Sequence, residues 1–127
     1  MIAAPIVAVL VAAGGGFGAV ARFMLDGAVR TRIRTIVPAG TMIINVTGSL
    51  LLGFVTGLVL FHAVPDDWRL VLGTGFLGGY TTFSTASFET VRLLQERRWV
   101  AALVNGLGML VLGVAAAVTG MLIAAAV

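Results

Sequence analysis

Four long apolar runs, separated by short polar breaks, set the plan of this chain. Residues 1–21 carry no charged side chain and close on Arg22; residues 39–61, 70–88 and 99–127 are likewise uncharged. About 20 apolar residues cross a bilayer core. The pattern therefore predicts four spans, over about 2–24, 39–62, 69–92 and 99–126, and leaves no room for a fifth. Pro38 suits a helix start at Ala39. Trp68 and Trp99 stand at span entrances, where indoles prefer the headgroup level. The connection Asp26–Val37 holds three arginines and is predicted to lie at the interface as a short amphipathic piece. Asp66-Asp67 and Gln95–Arg98 form the other two connections. The apolar start is expected to be a first span rather than a leader, because no Arg or Lys precedes it and three comparable segments follow. The expected fold is all-α, one four-helix transmembrane domain over 1–127.

The third run has an interruption. Gly78-Gly79-Tyr80-Thr81-Thr82-Phe83-Ser84-Thr85 places two glycines and two threonines inside a membrane segment, which is poor helix material. A third helix broken at membrane depth is predicted there. Lipid cannot satisfy the freed carbonyl and N–H groups, so such a break must face protein, water or an ion.

Polar side chains inside the runs follow helical spacing. Thr41, Asn45 and Ser49 recur at i, i+4 and i+8, one narrow stripe with Gly48 beside it. Asn45 fits two roles, interhelical hydrogen bonding or one wall of a hydrated path. After the interruption come Thr82, Ser84, Thr85 and Ser87 with Phe83 and Phe88 between them; hydroxyls can replace water around a small ion, and ring edges are positive. Glu89 and Arg92, at i and i+3, are expected to pair at the far interface. Gly14 and Gly18 share a helix face and suit close helix approach. Arg22 is either a snorkelling span end or a vestibule charge that attracts anions. His62 is expected at a wetted interface, and Asn105 in packing.

Composition removes several classes. Of 127 residues 60% are hydrophobic and 10% charged, where a soluble domain carries about 25% charged. There is no Cys and one His, so disulfides and a thiolate or His-only zinc site are excluded. All eight basic residues are Arg, but no basic stripe follows a nucleic-acid backbone. Gly14–Ala19 can be written G-x-G-x-x-A, yet it lacks the preceding strand and the later acid of a dinucleotide site. No nucleophile–base pair or metal cluster suggests an enzyme.

Three stretches together, Gly15-Gly16-Phe17-Gly18-Ala19 through Arg22, Gly40-Thr41 through Asn45 to Gly48-Ser49, and Gly78-Gly79 through Thr81-Thr82-Phe83-Ser84-Thr85, resemble the Fluc, or CrcB, fluoride channels. The third is the most specific, and the likeness covers all four spans in order. It implies an antiparallel dual-topology dimer in a prokaryotic cell membrane that lets fluoride leave the cytoplasm passively. It also implies a structural Na+ at the dimer centre, held by the backbone carbonyls of Gly78 and Thr81. By the same resemblance, Asn45 and Phe83 line the fluoride path, with Thr82, Ser84 and Thr85 along it, Thr41 and Ser49 on the stripe, and Arg22 at the vestibule. The chain departs from the pattern at Ala86, where a second Phe is usual. It departs again on the last span, where Asn105, Met109 and Gly113 replace a Tyr and serines.

Charge adds one more expectation. Four spans put connections one and three on one side, with Arg22, Arg30, Arg32, Arg34, Arg92, Arg97 and Arg98, against Arg69 alone on the other. The positive-inside rule then favours a fixed orientation, with those connections cytoplasmic. An antiparallel dimer would need an oppositely biased paralogue, and one half of such a pair can lose its pore. A plain homodimer is the other possibility. A small multidrug or guanidinium exporter needs a membrane carboxylate for proton coupling, and the first span has none.

Overall fold

In the computed structural model, which describes residues 2–127, every regular element is helical. Helix α1 (Ala4–Arg32) starts with Pro5 in its first turn, where the missing N–H costs nothing. Helix α2 (Ala39–Phe61) follows Pro38, and α5 (Trp99–Ala126) ends the chain. These three are long and apolar enough to cross a membrane. The remaining predicted span arrives as two pieces, α3 (66–80) and α4 (Phe83–Gln95). At about 1.5 Å per residue neither crosses a bilayer alone.

Two helix pairs build the bundle: α1 lies along α3, and α2 lies along α5. Backbone meets backbone in both. A Cβ built on Gly14 would come within 3.1 Å of the Phe76 nitrogen, and one on Gly75 within 2.9 Å of the Val11 carbonyl oxygen. On the other pair, Gly53 faces the Ala117 carbonyl and Gly120 the Leu50 carbonyl. Small residues permit this approach, and without it van der Waals contact between apolar helices would be lost. A core of Ile44, Leu77 and Tyr80 ties α2 to α3, and the Tyr80 ring stacks on Phe76 with centroids 6.1 Å apart.

Two expectations about the connections need correction. Residues 26–32 do not form a separate interfacial piece; they are the last two turns of α1, stabilised by Arg30 Nε donating to Asp26 Oδ2 at 2.8 Å. The acid N-terminal to its base at i, i+4 supports helix rather than a new element. Nor do Glu89 and Arg92 pair. Arg92 donates to Glu96 at 3.1 Å, while Glu89 is turned inward, 8% exposed, toward α1 and α2. Their spacing allowed the pair, but the inward face of α4 claimed Glu89. His62 is exposed, yet its Nε2 lies 2.6 Å from the Ala124 carbonyl oxygen, so it also joins the ends of α2 and α5.

Helix α4 closes with Arg97 at φ 58°, while Arg98 N–H donates to Leu93 C=O and Arg97 N–H to Leu94 C=O. That pair of bonds is a helix stop that glycine suits best. Arg97→Gly is expected to raise resistance to denaturant unfolding by roughly 1 kcal/mol, through relief of the left-handed backbone.

Candidate functional site

The interruption lies on the threonines, not on the glycines. Gly78 and Gly79 are helical and end α3; Thr81 (φ −79°, ψ 159°) and Thr82 (φ −145°, ψ 122°) are extended, and α4 begins at Phe83. The glycines serve packing instead. A Cβ at Gly79 would run into the Gly15 carbonyl oxygen.

Asn45 braces the extended step. Its Oδ1 accepts from Thr82 N–H and its Nδ2 donates to Thr82 C=O, both at 2.8 Å. One amide side chain thus satisfies both polar groups of an unwound residue, as a neighbouring strand would. The other Nδ2 hydrogen points to Met109 Sδ at 3.0 Å. The next helix is capped locally: Thr82 Oγ1 accepts from Thr85 N–H at 3.1 Å and lies 3.0 Å from Thr85 Oγ1 and 3.4 Å from Ser84 Oγ. Such an N-cap hydroxyl contributes about 1 kcal/mol.

Two of the carbonyls that the unwinding strips of helical partners are freed by these bonds. The amide that would continue the helix onto Gly78 C=O belongs to Thr82, and Asn45 has taken it. The amide that would reach Thr81 C=O belongs to Thr85, and Thr82 Oγ1 has taken it. Both Gly78 and Thr81 line a groove of about 740 Å³ on the face where α2, α3, α4 and α5 meet.

The same groove holds Asn45, Ser49, Thr82 and Phe83 from the expected set, together with Ala86, Ser87, Asn105, Met109 and Gly113. Phe83 is 88% exposed, its ring standing off the protomer. Ser84 and Thr85 do not line the groove, and neither does Thr41. Thr41 is 2% exposed, one turn before Asn45, and its hydroxyl donates to Glu89 Oε1 at 3.1 Å. Arg30 reaches the same oxygen at 3.4 Å. A second, smaller cavity of about 150 Å³ opens there between Asp26, Arg30, Thr35 and Glu89. Arg22 stands apart from both. It is half-buried, its Nε has no hydrogen-bond partner, and α1 runs ten residues beyond it.

Three residues of this arrangement were not among the expected path residues. Glu89 was placed at a surface pair. Tyr80, whose hydroxyl lies 2.9 Å from Thr47 Oγ1, carried no signal beyond its neighbours. Asn105, 1% exposed, donates to Thr90 Oγ1 at 2.8 Å and to Ala86 C=O at 3.3 Å, so it sits opposite the departure at Ala86. An Asn in an apolar run was the available signal for it.

Residues 9–121 match the family model described as CrcB-like protein, Camphor Resistance (CrcB). The chain belongs to the CrcB family. This CrcB chain is 56% identical over 117 residues to "Fluoride-specific ion channel FluC 1" of Leifsonia xyli subsp. xyli, covering 92% of the chain and 85% of that relative. It is 49% identical over 110 residues to "Fluoride-specific ion channel FluC 2" of Mycobacterium bovis, covering 87% and 84%. With "Fluoride-specific ion channel FluC" of Thermococcus kodakarensis it shares 41% over 119 residues, covering 93% and 95%. Family and apolar helices together make the CrcB chain a multi-pass protein of the prokaryotic plasma membrane.

Proposed function

We propose that the chain is a fluoride-specific channel that exports fluoride passively and so lowers cytoplasmic fluoride. The observation that carries this reading is the Asn45–Thr82 junction: a paired, half-buried amide set in the wall of an apolar groove, beside hydroxyls and an unburied phenyl ring. Fluoride holds its water tightly, so a path must offer many close donors without a fixed positive charge that would trap the ion. Amide and hydroxyl hydrogens and ring edges meet both demands. The names of the relatives point the same way.

No chemical step is needed. Protonated fluoride crosses lipid and ionises inside, and an interior-negative potential drives the anion out by about 2.3 kcal/mol per 100 mV. A selective leak suffices for resistance, and the protein acts as a channel rather than an enzyme.

The groove is the face on which a second, antiparallel copy would sit, which makes the interruption of the third span a feature at membrane depth in the centre of a dimer. A Na+ fits there by donor chemistry. The carbonyls of Gly78 and Thr81 are hard oxygens released from helical bonding by Asn45 and Thr82, and two per chain become four when copies pair. Bound there, the cation would neutralise inward-facing carbonyl dipoles and join the protomers.

A second reading, one half of a heterodimer with a degenerate pore, is favoured by the arginine distribution and by Ala86. Liposomes holding this chain alone separate the two. The homodimeric channel releases loaded fluoride once the potential is relieved by a potassium ionophore, and retains chloride. Absence of fluoride release, restored by adding an oppositely oriented paralogue, supports the heterodimer. Release of neither ion in any combination would overturn the channel.

A further inference from the structure

The one hydrogen of the Asn45 amide that the unwound backbone does not use is held by a thioether. Thr82 consumes the Asn45 oxygen and one N–H, and the second N–H lies 3.0 Å from Met109 Sδ. The amide cannot be turned over. Exchange of its oxygen and nitrogen would set acceptor against Thr82 C=O and donor against Thr82 N–H. Hence the hydrogen facing Met109 is the only one Asn45 has to offer any ligand.

A thioether is a weak acceptor on an unbranched arm with three rotatable bonds. Met109 is buried in the groove wall, immediately after a π-helical turn over Val104–Gly108, a distortion that often marks functional positions. One turn further on, Gly113 presents no side chain to obstruct the arm, and a Cβ there would first meet Ser49 Oγ at 3.4 Å. A small anion is a far stronger acceptor than sulfur, so the two compete for one hydrogen.

We propose that Met109 is a positioning and specificity residue for fluoride: its sulfur occupies the Asn45 N–H that receives the ion, and must leave before the ion is accepted. The inference rests on the fluoride reading above. Apparent affinity for the ion is then reduced by the fraction of time the sulfur is in place, as for any site with a competing closed state.

Two volume-conserving variants test this in opposite directions. Met109→Leu removes the acceptor, and the half-saturating fluoride concentration for efflux from liposomes is expected to fall about threefold to tenfold, the scale of one weak hydrogen bond. Met109→Gln supplies a strong amide acceptor, and the same concentration is expected to rise by a similar factor. A residue that merely fills space would move both variants the same way, or neither. Either of those results overturns the proposal. If Met109→Gln does not assemble, Met109→Leu decides alone, and an unchanged concentration dependence there is a refutation. A wild-type chain that passes no fluoride in any pairing overturns the fluoride reading and this inference together, whereas wild-type efflux with indifferent Met109 variants overturns only the inference.

Discussion

Asn45→Asp is expected to abolish fluoride efflux from liposomes while the protein still assembles. The change is nearly isosteric, but it removes both N–H donors. Thr82 C=O loses its partner at 2.8 Å and Met109 Sδ its contact at 3.0 Å, whereas Thr82 N–H keeps an oxygen to donate to. As the N-cap carbonyl, Thr82 C=O still accepts the first helical bond of α4, so the lost side-chain bond costs about 0.5–1.5 kcal/mol. The larger effect is on the ion. A carboxylate about 4 Å from a passing anion repels it by about 4 kcal/mol at an effective dielectric of 20, close to a thousandfold in rate. Efflux would fall to the leak of protein-free liposomes. Size-exclusion elution and crosslinking of the purified variant check that assembly survives. Wild-type efflux from a correctly assembled Asn45→Asp protein would remove Asn45 from the path.

The three long apolar helices and their order were legible because lipid imposes a length and an apolar composition that short polar breaks cannot disguise. The site was legible in a different way. Thr41, Asn45 and Ser49 announce themselves by period, and Thr81-Thr82 by their company. What the sequence could not assign is which backbone groups unwind. Intrinsic preference singles out Gly78-Gly79 as the weak point, yet these remain helical, and their missing side chains admit α1 instead. Thr81 and Thr82 unwind because long-range partners exist for the groups they release, above all an amide 37 residues away. Local propensity carries no information about such a partner.

Glu89 shows the same limit from the side of charge. Its spacing to Arg92 satisfies the rule for a helical ion pair, and both side chains find other partners. Thr41, on the expected stripe, supplies a hydroxyl to Glu89 rather than a face to the groove. The stripe therefore divides at Asn45. Ser49 and Asn45 belong to the groove, while Thr41 bonds to Glu89, which lines the smaller cavity with Asp26 and Arg30. Periodicity could place the three on one helix face but not say that two different cavities meet it.

Gly79→Ala and Gly18→Ala are expected to be strongly damaging single-methyl changes on the seam between α1 and α3. A methyl at 79 would collide with the Gly15 carbonyl oxygen, with the Gly15 carbon 2.8 Å away; one at 18 would collide with the Phe76 carbonyl oxygen, with Tyr80 N at 2.8 Å. These obstacles are backbone, so no rotamer change relieves them, and α1 and α3 must move apart. Overpacking of this kind costs about 1–3 kcal/mol and at times more. The displacement would not stay local. Tyr80 is bound through its hydroxyl to Thr47, and the Thr81 methyl is seated against Gly48, so moving the end of α3 pulls on the extended step that Asn45 holds. Gly16→Ala is the control, since a Cβ there meets nothing within 4 Å; it should be no less stable than wild type, and more stable by up to about 1 kcal/mol through helix preference. Unfolding in a denaturing detergent and fluoride efflux are to be measured on all three. Both clash variants should unfold earlier and lose efflux, while Gly16→Ala unfolds no earlier than wild type and keeps its efflux. If Gly79→Ala were as stable and as active as Gly16→Ala, the close approach of α1 and α3 could not be what holds the unwound threonines in place.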